Sequence, residues 1–357
     1  VLTSRGLGDV YKRQVYDRLD YCASMKNLEA ARRSPNFKFV RGDIRSLDFL
    51  TFVLSEEKVD TVLHFAAQTH VDNSFGNSLR FTLDNVYGTH VLLEACRIYG
   101  GVRRLVNVST DEVYGEQSHA QTESQAESST LEPTNPYAAA KAGAEMLVKA
   151  YGTSYGLPCI TTRGNNVYGP GQFPEKLIPK FAILASNGSP LPVHGSGEST
   201  RSFIHIDDAA AAYDLILHKG VTGETYNIGS RRERSVLDVA RDIRRVFDEG
   251  LWDSLPLEGR ESLLKDVEQC VQFVEDRRFN DRRYFIDDKK LKALGWEEEV
   301  DWEVGLKLTV CWYLHTELTD YWEKRDIEAA LQAHPKGQNL LRSHSALNIA
   351  QGGRRDR

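Results

Sequence analysis

From about residue 15 to residue 228, short apolar runs alternate with helical patterns. The runs FKFV (37–40), VDTVLHFAA (59–67), RRLVNVS (103–109) and LPCITTRG (157–164) are nearly continuous in apolar character. That pattern predicts parallel strands buried on both faces. Between them, 79–100 and 135–156 read as helices. In the second, Asn135 is placed to cap the helix and Pro136 fits its first turn. Alternating β and α elements imply an α/β fold built on a Rossmann-like, doubly wound parallel sheet, with ligands at the carboxyl ends of the strands.

After about Lys176 the pattern becomes irregular and richer in Gly, Pro and Ser, as in SNGSPLPVHGSGEST (186–200). The segment 235–323 reads as mainly helical with charged faces, part of a smaller, partly interleaved domain. The stretch 331–357 lacks apolar periodicity and reads as a mobile polar tail.

Length and composition narrow the class. The chain has 357 residues, enough for two ordinary domains or one large α/β unit. With 41% apolar and 27% charged residues it is neither collagen-like, low-complexity nor wholly disordered. Its 45 basic and 51 acidic residues give a net charge of −6, which excludes a chain-wide basic field for nucleic acid. No stretch approaches the ~20 apolar residues of a membrane helix, and residues 1–14 lack the apolar core of a signal peptide. No membrane or nucleic-acid partner is expected. Cys22, Cys96, Cys159, Cys270 and Cys311 lie far apart without a CxxC pair. That argues against a disulfide framework or zinc site and favours the reducing cytoplasm.

Candidate chemistry clusters at the predicted strand ends. Tyr137 and Lys141 are four apart on a predicted helix, so they share one face. A cation there lowers the phenol's pKa and makes Tyr137 a usable general base; the same spacing also describes an ordinary surface pair. The run STDEVYG (109–115) offers the hydroxyl of Thr110 and the adjacent carboxyls of Asp111 and Glu112. Two carboxyls in different environments can divide acid and base roles, although a polar turn leaving a strand looks alike. In HFAAQTHVDNS (64–74), Ala66 and Ala67 leave room for a flat cofactor near the backbone. His64 and His70 have no carboxylate or cysteine cluster to make them metal ligands, and no metal is expected. Asn165 and Asn166 in RGNNVYGP (163–170) read either as readers of hydroxyls or as an Asn/Gly turn. Arg201 and Arg277 are candidates for phosphate, and Asp17 closes a short strand as a ribose-binding carboxylate. Arg231, Arg232 and Arg234 read as a solvated face.

Taken together and in order, VYD (15–17), GDI (42–44), HFAAQTHVD (64–72), STDEVYG (109–115), YAAAK (137–141), RGNNVYGP (163–170), PEKLIPKF (174–181) and NDRRYFIDDKKLKALGW (280–296) resemble the extended short-chain dehydrogenase/reductases. More narrowly, they resemble the nucleoside-diphosphoglucose 4,6-dehydratases, over about residues 15–322. The Asp-Glu pair after Thr110 distinguishes these from the related 4-epimerases. The resemblance implies an NAD-binding domain at 15–170, a substrate-binding domain at 171–325 and a polar tail at 326–357.

The implied reaction converts dTDP-glucose or UDP-glucose to the 4-keto-6-deoxy sugar with tightly bound NAD, in deoxysugar or rhamnose synthesis. Thr110, Asp111, Glu112, Tyr137 and Lys141 take the catalytic positions. Asp17, Asp43, Ile44, Ala66, Ala67 and Thr69, with Tyr137 and Lys141, take the cofactor positions. His70, Asn166, Glu175, Lys176, Arg201, Asn227 and Arg277 take the substrate positions. A homodimer through 79–100 and 135–156 is implied too. The competing readings are a 4-epimerase or decarboxylase of the same superfamily, and a nucleotide-sugar-binding protein without turnover.

One departure from the pattern stands at the front. Family members carry a strand, a GxxGxxG turn and a helix before the VYD strand. Here fourteen residues precede Val15, and they contain only Gly6-Leu7-Gly8. Residues 1–14 are therefore expected to be unrelated sequence. The central strand and the helix N-terminus that receives the pyrophosphate are expected to be missing, with poor NAD binding as the consequence.

Overall fold

The structure is a computed structural model that describes residues 2–5, 11–118, 120, 122–247 and 270–333. Its strands are β1 (Leu2–Arg5), β2 (Tyr11–Asp17), β3 (Phe37–Arg41), β4 (Thr61–His64), β5 (Arg104–Thr110), β6 (Cys159–Gly164), β7 (Asn166–Tyr168), β8 (Leu191–His194), β9 (Thr200–His205), β10 (Thr225–Ile228), β11 (Glu233–Ser235) and β12 (Val271–Val274). Seven of them form one sheet in the order β10-β6-β5-β4-β1-β2-β3. The pairs β2–β3, β4–β5, β5–β6 and β6–β10 are parallel, as the apolar runs predict. The inner strands supply fully buried residues such as Val62, Leu105, Val106 and Ile160.

The central position between β4 and β2 is filled, contrary to the sequence-based expectation. β1 pairs antiparallel with both neighbours, placing Leu2 opposite Val62 and Gln14. The strand expected at 15–17 begins at Tyr11, so part of the segment 1–14 belongs to the sheet. Backbone pairing explains this: without a neighbour, the inner edges of β2 and β4 would leave N–H and C=O groups unpaired. Five residues separate β1 from β2, against the dozen or more of a parallel crossover, so the pairing is antiparallel. Gly6-Leu7-Gly8 lies outside the described residues.

Helices flank the sheet. The run from Ser78 to Tyr99 is helical in three abutting pieces, and Gly100 ends it at φ 70°. The helix Pro136–Tyr155 starts at Asn135, whose side chain accepts from the Ala138 N–H, and ends at the left-handed Gly156. Buried Ala138, Ala140, Ala142 and Ala144 let it approach closely. Leu50, Val53 and Leu54 of the helix Leu47–Glu56 meet Leu92, Leu93 and Ala95 in one core cluster.

A smaller unit is interleaved with this one. After β6 the chain leaves the large sheet: β7 pairs with one edge of β9 and β11 with the other, while β10 returns to the large sheet. Its core joins Phe181, Val193, Val239, Ile243, Trp302 and Val310. The segment 235–323 is less helical than its charge pattern predicts. Between the helices Val236–Val246 and Trp302–His315 it includes β12 and the run 275–288, which forms no helix, and residues 248–269 lie outside the described residues. Residues 326–330, expected to open a polar tail, are helical and packed: the helix Lys324–Ala330 sets Ile327 and Ala330 against Phe173 and Trp322. Residues 334–357 of the expected tail lie outside the described residues. Among the described residues, no helix is long and apolar enough to cross a membrane.

Candidate active site

The carboxyl end of β5 opens into a cavity of about 360 Å³, lined on one side by Thr110, Asp111, Glu112 and Tyr137. Thr110 ends the strand, and its hydroxyl accepts from the Glu112 N–H at 3.4 Å, starting a tight turn over Asp111–Tyr114. The turn closes at Gly115, with φ 83°, where a Cβ would stand 2.2 Å from the Glu132 carbonyl oxygen. Only glycine fits that position. The turn thereby places two adjacent carboxyls at the strand end.

The two carboxyls are held differently. Asp111 is 2% exposed and accepts from Asn165 Nδ2 at 2.6 Å and from Thr110 Oγ1 at 3.1 Å. Burial, then the neighbouring Glu112, push its pKa up to about 7 despite those two bonds. Glu112 Oε2 accepts from Asn135 Nδ2 at 3.0 Å and from the Tyr284 hydroxyl at 3.5 Å. Burial raises Glu112 as well, while the Asn135 amide and the Arg201 charge pull it down.

Tyr137 and Lys141 lie on one helix face, both 7% exposed. The expected acidification of the phenol does not hold in this structure. Burial, then Glu112, raise the Tyr137 pKa, with a Thr110 hydrogen bond opposing. Lys141 instead donates to the Val108 carbonyl, and burial pushes it down to about 8. Two carboxyls and a dry environment outweigh a cation that is committed to backbone. Beneath the site, Arg163 forms a buried fork onto Glu145, with Nη2 2.7 Å from Oε2.

A second cavity of about 190 Å³ adjoins the first, and Thr69 and Glu175 line both. It brings together Asp17, Asp43, Ile44, Ala66 and Ala67, as the sequence predicts. Asp17 accepts from the Leu19 N–H at 2.6 Å. Burial opposes ionisation of Asp43, but the Arg45 side chain and N–H outweigh it and hold its carboxyl at about 2. The two cavities meet at Thr69 and Glu175, and with Ala66 and Ala67 lining the smaller one and Asp17 at the end of β2 they fit the two ends of a dinucleotide. The middle fits less well. The antiparallel β1–β2 pair presents no helix N-terminus for a pyrophosphate among the described residues.

The substrate positions divide. His70, Asn166, Glu175, Lys176, Arg201 and Arg277 all line the larger cavity. His70 is 6% exposed, with Nε2 3.6 Å from Asp72. Glu175 accepts from the Tyr21 hydroxyl at 2.7 Å, and Lys176 donates to the Thr69 carbonyl at 2.7 Å. Arg201 lies over the Tyr284 ring and donates to the Asp281 carbonyl at 2.8 Å. Arg277 pairs with Asp72 at 2.5 Å, so a phosphate there would compete with a carboxylate. Asn227 is not at the cavity. It is fully buried, donating to the Gln125 and Asp287 carbonyls at 3.0 Å and accepting from Tyr114 at 2.8 Å. Its amide is consumed by holding segments together.

Sequence reasoning missed Tyr284 and Asp72 altogether and saw Asn135 only as a cap. Tyr284 and Asp72 carry no local signal, since each meets a cavity-lining residue, Glu112 and Arg277 respectively, through a contact distant in sequence. His64 is buried against Thr89 at 2.9 Å. Among the described residues, no three His, Cys, Asp or Glu side chains cluster as a metal site.

Residues 2–309 match the profile of the GDP-mannose 4,6-dehydratase family. The chain is 56% identical over 326 residues to the trifunctional UDP-glucose 4,6-dehydratase/UDP-4-keto-6-deoxy-D-glucose 3,5-epimerase/UDP-4-keto-L-rhamnose-reductase RHM2 of Arabidopsis thaliana, covering 91% of this chain and 46% of that one. It thus spans about half the length of that relative. It is 42% identical over 319 residues to the dTDP-D-glucose 4,6-dehydratase of Homo sapiens, covering 89% of this chain and 86% of that one. Among solved structures, DesIV, a dTDP-glucose 4,6-dehydratase from Streptomyces venezuelae with NAD and TYD bound, superimposes with a TM-score of 0.75 at 39% identity, covering 87% of this chain and 89% of that one.

Proposed function

The chain belongs to the GDP-mannose 4,6-dehydratase family, and from that premise we propose that it removes water from a nucleoside-diphosphate glucose, UDP-glucose or dTDP-glucose, to give the 4-keto-6-deoxy sugar. One observation carries the reading: Thr110, Asp111, Glu112 and Tyr137 converge on one cavity, with the two carboxyls held by different amides. The relatives named above supply the substrate class.

NAD, when bound, supplies the acceptor for the C4 hydride and its return to C6. Tyr137 Oη is the oxygen placed to take the proton of the C4 hydroxyl, a role that requires its ionised form against the burial and the Glu112 charge that raise its pKa, and Thr110 Oγ1 hydrogen-bonds the C4 oxygen. Lys141, near neutrality in its burial, keeps a proton within the dry wall behind Tyr137. A ketone at C4 acidifies the C5 hydrogen, which Glu112 removes as a base. Asp111, pushed up to about 7, carries a proton in about half of the molecules at neutral pH, and that protonated form delivers it to the departing C6 hydroxyl. Asp17 and Asp43 with Ile44, Ala66, Ala67 and Thr69 hold the dinucleotide's adenosine side. His70, Asn166, Glu175, Lys176, Arg201 and Arg277 face the nucleotide sugar.

The reading extends to a cytoplasmic homodimer acting in rhamnose synthesis. Exposed Leu79, Leu83, Tyr87 and Ile98 on one helical run, with Met146 and Tyr155 on the other, support pairing through these helices. The test is incubation of purified protein with NAD and, separately, UDP-glucose and dTDP-glucose. A 4-keto-6-deoxy product supports the reading. A galactose-configured sugar, or nucleotide-sugar binding without turnover, overturns it.

A further inference from the structure

Asn135 makes two bonds at once. Its Oδ1 accepts from the Ala138 N–H at 2.8 Å, capping the helix that carries Tyr137 two residues on. Its Nδ2 donates to Glu112 Oε2 at 3.0 Å. The residue is 4% exposed. The amide's orientation is fixed by its neighbours: oxygen must face the backbone N–H, so nitrogen must face the carboxylate. Among good N-cap residues this pairing is peculiar to asparagine. Serine and threonine cap equally but lack a second donor of that reach, and aspartate caps but would set a charge against Glu112.

We propose that Asn135 is a positioning residue of the dehydration step: one side chain registers the Tyr137 helix against Glu112 and holds the Glu112 carboxylate ionised and aimed into the cavity. The role given to Glu112 rests on the dehydratase reading. The physical coupling of Asn135 to Glu112 does not. The other donor on the same oxygen, the Tyr284 hydroxyl at 3.5 Å, is longer, so the amide is the main hold. Asp111 is anchored separately through Asn165, whose Oδ1 accepts from the Ser230 N–H at 2.8 Å. Each carboxyl therefore has its own asparagine, and a change at residue 135 acts on Glu112 first.

The experiment is an infrared titration of the full chain without substrate. The Glu112 carboxyl is identified as the band lost in Glu112→Gln. In Asn135→Ser, which keeps the cap, the Glu112 midpoint is expected to rise by about one pH unit, with Tm close to the parent. In Asn135→Asp it is expected to rise further, because a like charge faces the carboxylate. The acid limb of the kcat profile moves up by the same amount, with KM unchanged. A Glu112 band that titrates as in the parent in both variants overturns the proposal. Failure of the dehydratase reading is distinct: the parent protein would yield no 4-keto sugar, whatever the infrared band does.

Discussion

At the catalytic end of the crevice each ionisable group leans on one or two specific partners, whereas at the adenosine end carboxylates are shared among several arginines. Asp111 has Asn165 and Thr110, and Lys141 has one backbone carbonyl. By contrast, Asp84 receives Arg80 at 2.6 Å, Arg18 at 2.8 Å and Arg45 at 3.4 Å. Those arginine side chains are 24–30% exposed, while Tyr137, Asp111 and Lys141 are buried. Burial with few partners moves pKa values far and makes each group irreplaceable. Several partly exposed arginines keep even the buried Asp84 ionised, and their number makes each one dispensable.

The largest expected effect lies at the catalytic end. Tyr137→Phe keeps the edge-on packing against Phe81, at 6.2 Å between ring centres, so Tm should hold. Turnover should fall roughly 10²–10⁴-fold, as removal of a general base does; steady-state kinetics with a melt decide this. Next is the support beneath. Arg163→Met strands Glu145 without its buried partner and should cost roughly 3–5 kcal/mol in urea unfolding.

The third prediction concerns pH. Asp111 titrates near 7 when folded, against ~3.9 unfolded. Between those values the folded state binds more protons, so stability falls as pH rises from about 4 to about 7. Asp111→Asn removes that slope, and its stability relative to the parent should improve across this window by a few kcal/mol at most. Urea midpoints at both ends of the window measure it. The smallest effect belongs to the adenosine end. Arg18→Ala leaves Asp84 paired with Arg80 and Arg45, and should cost ~1 kcal/mol or less. A loss as large as that of Arg163→Met would erase the contrast between the two ends.

Most of the site was legible because its residues come in short motifs at strand ends. Asp111 and Glu112 follow β5 directly, and Tyr137 and Lys141 share one turn of one helix, so local spacing suffices. The parallel strands were legible for a related reason: burial on both faces leaves continuous apolar runs. Three things were not. β1 fills the sheet because backbone pairing rewards any strand in that slot, and LTSR carries no apolar signature. Asn227 matches a motif position yet spends its amide on Gln125 and Asp287, contacts 102 and 60 residues away in sequence. The pKa of Tyr137 depends on how many carboxyls share its cavity, which helical spacing to Lys141 does not reveal.

The account turns on whether dehydration, rather than inversion at C4, happens in the cavity at the end of β5. UDP-glucose deuterated at C4, incubated with the protein and NAD, tests it most directly. The prediction is a 4-keto-6-deoxy sugar with the deuterium at C6. Deuterium retained at C4 of a galactose-configured product would contradict it.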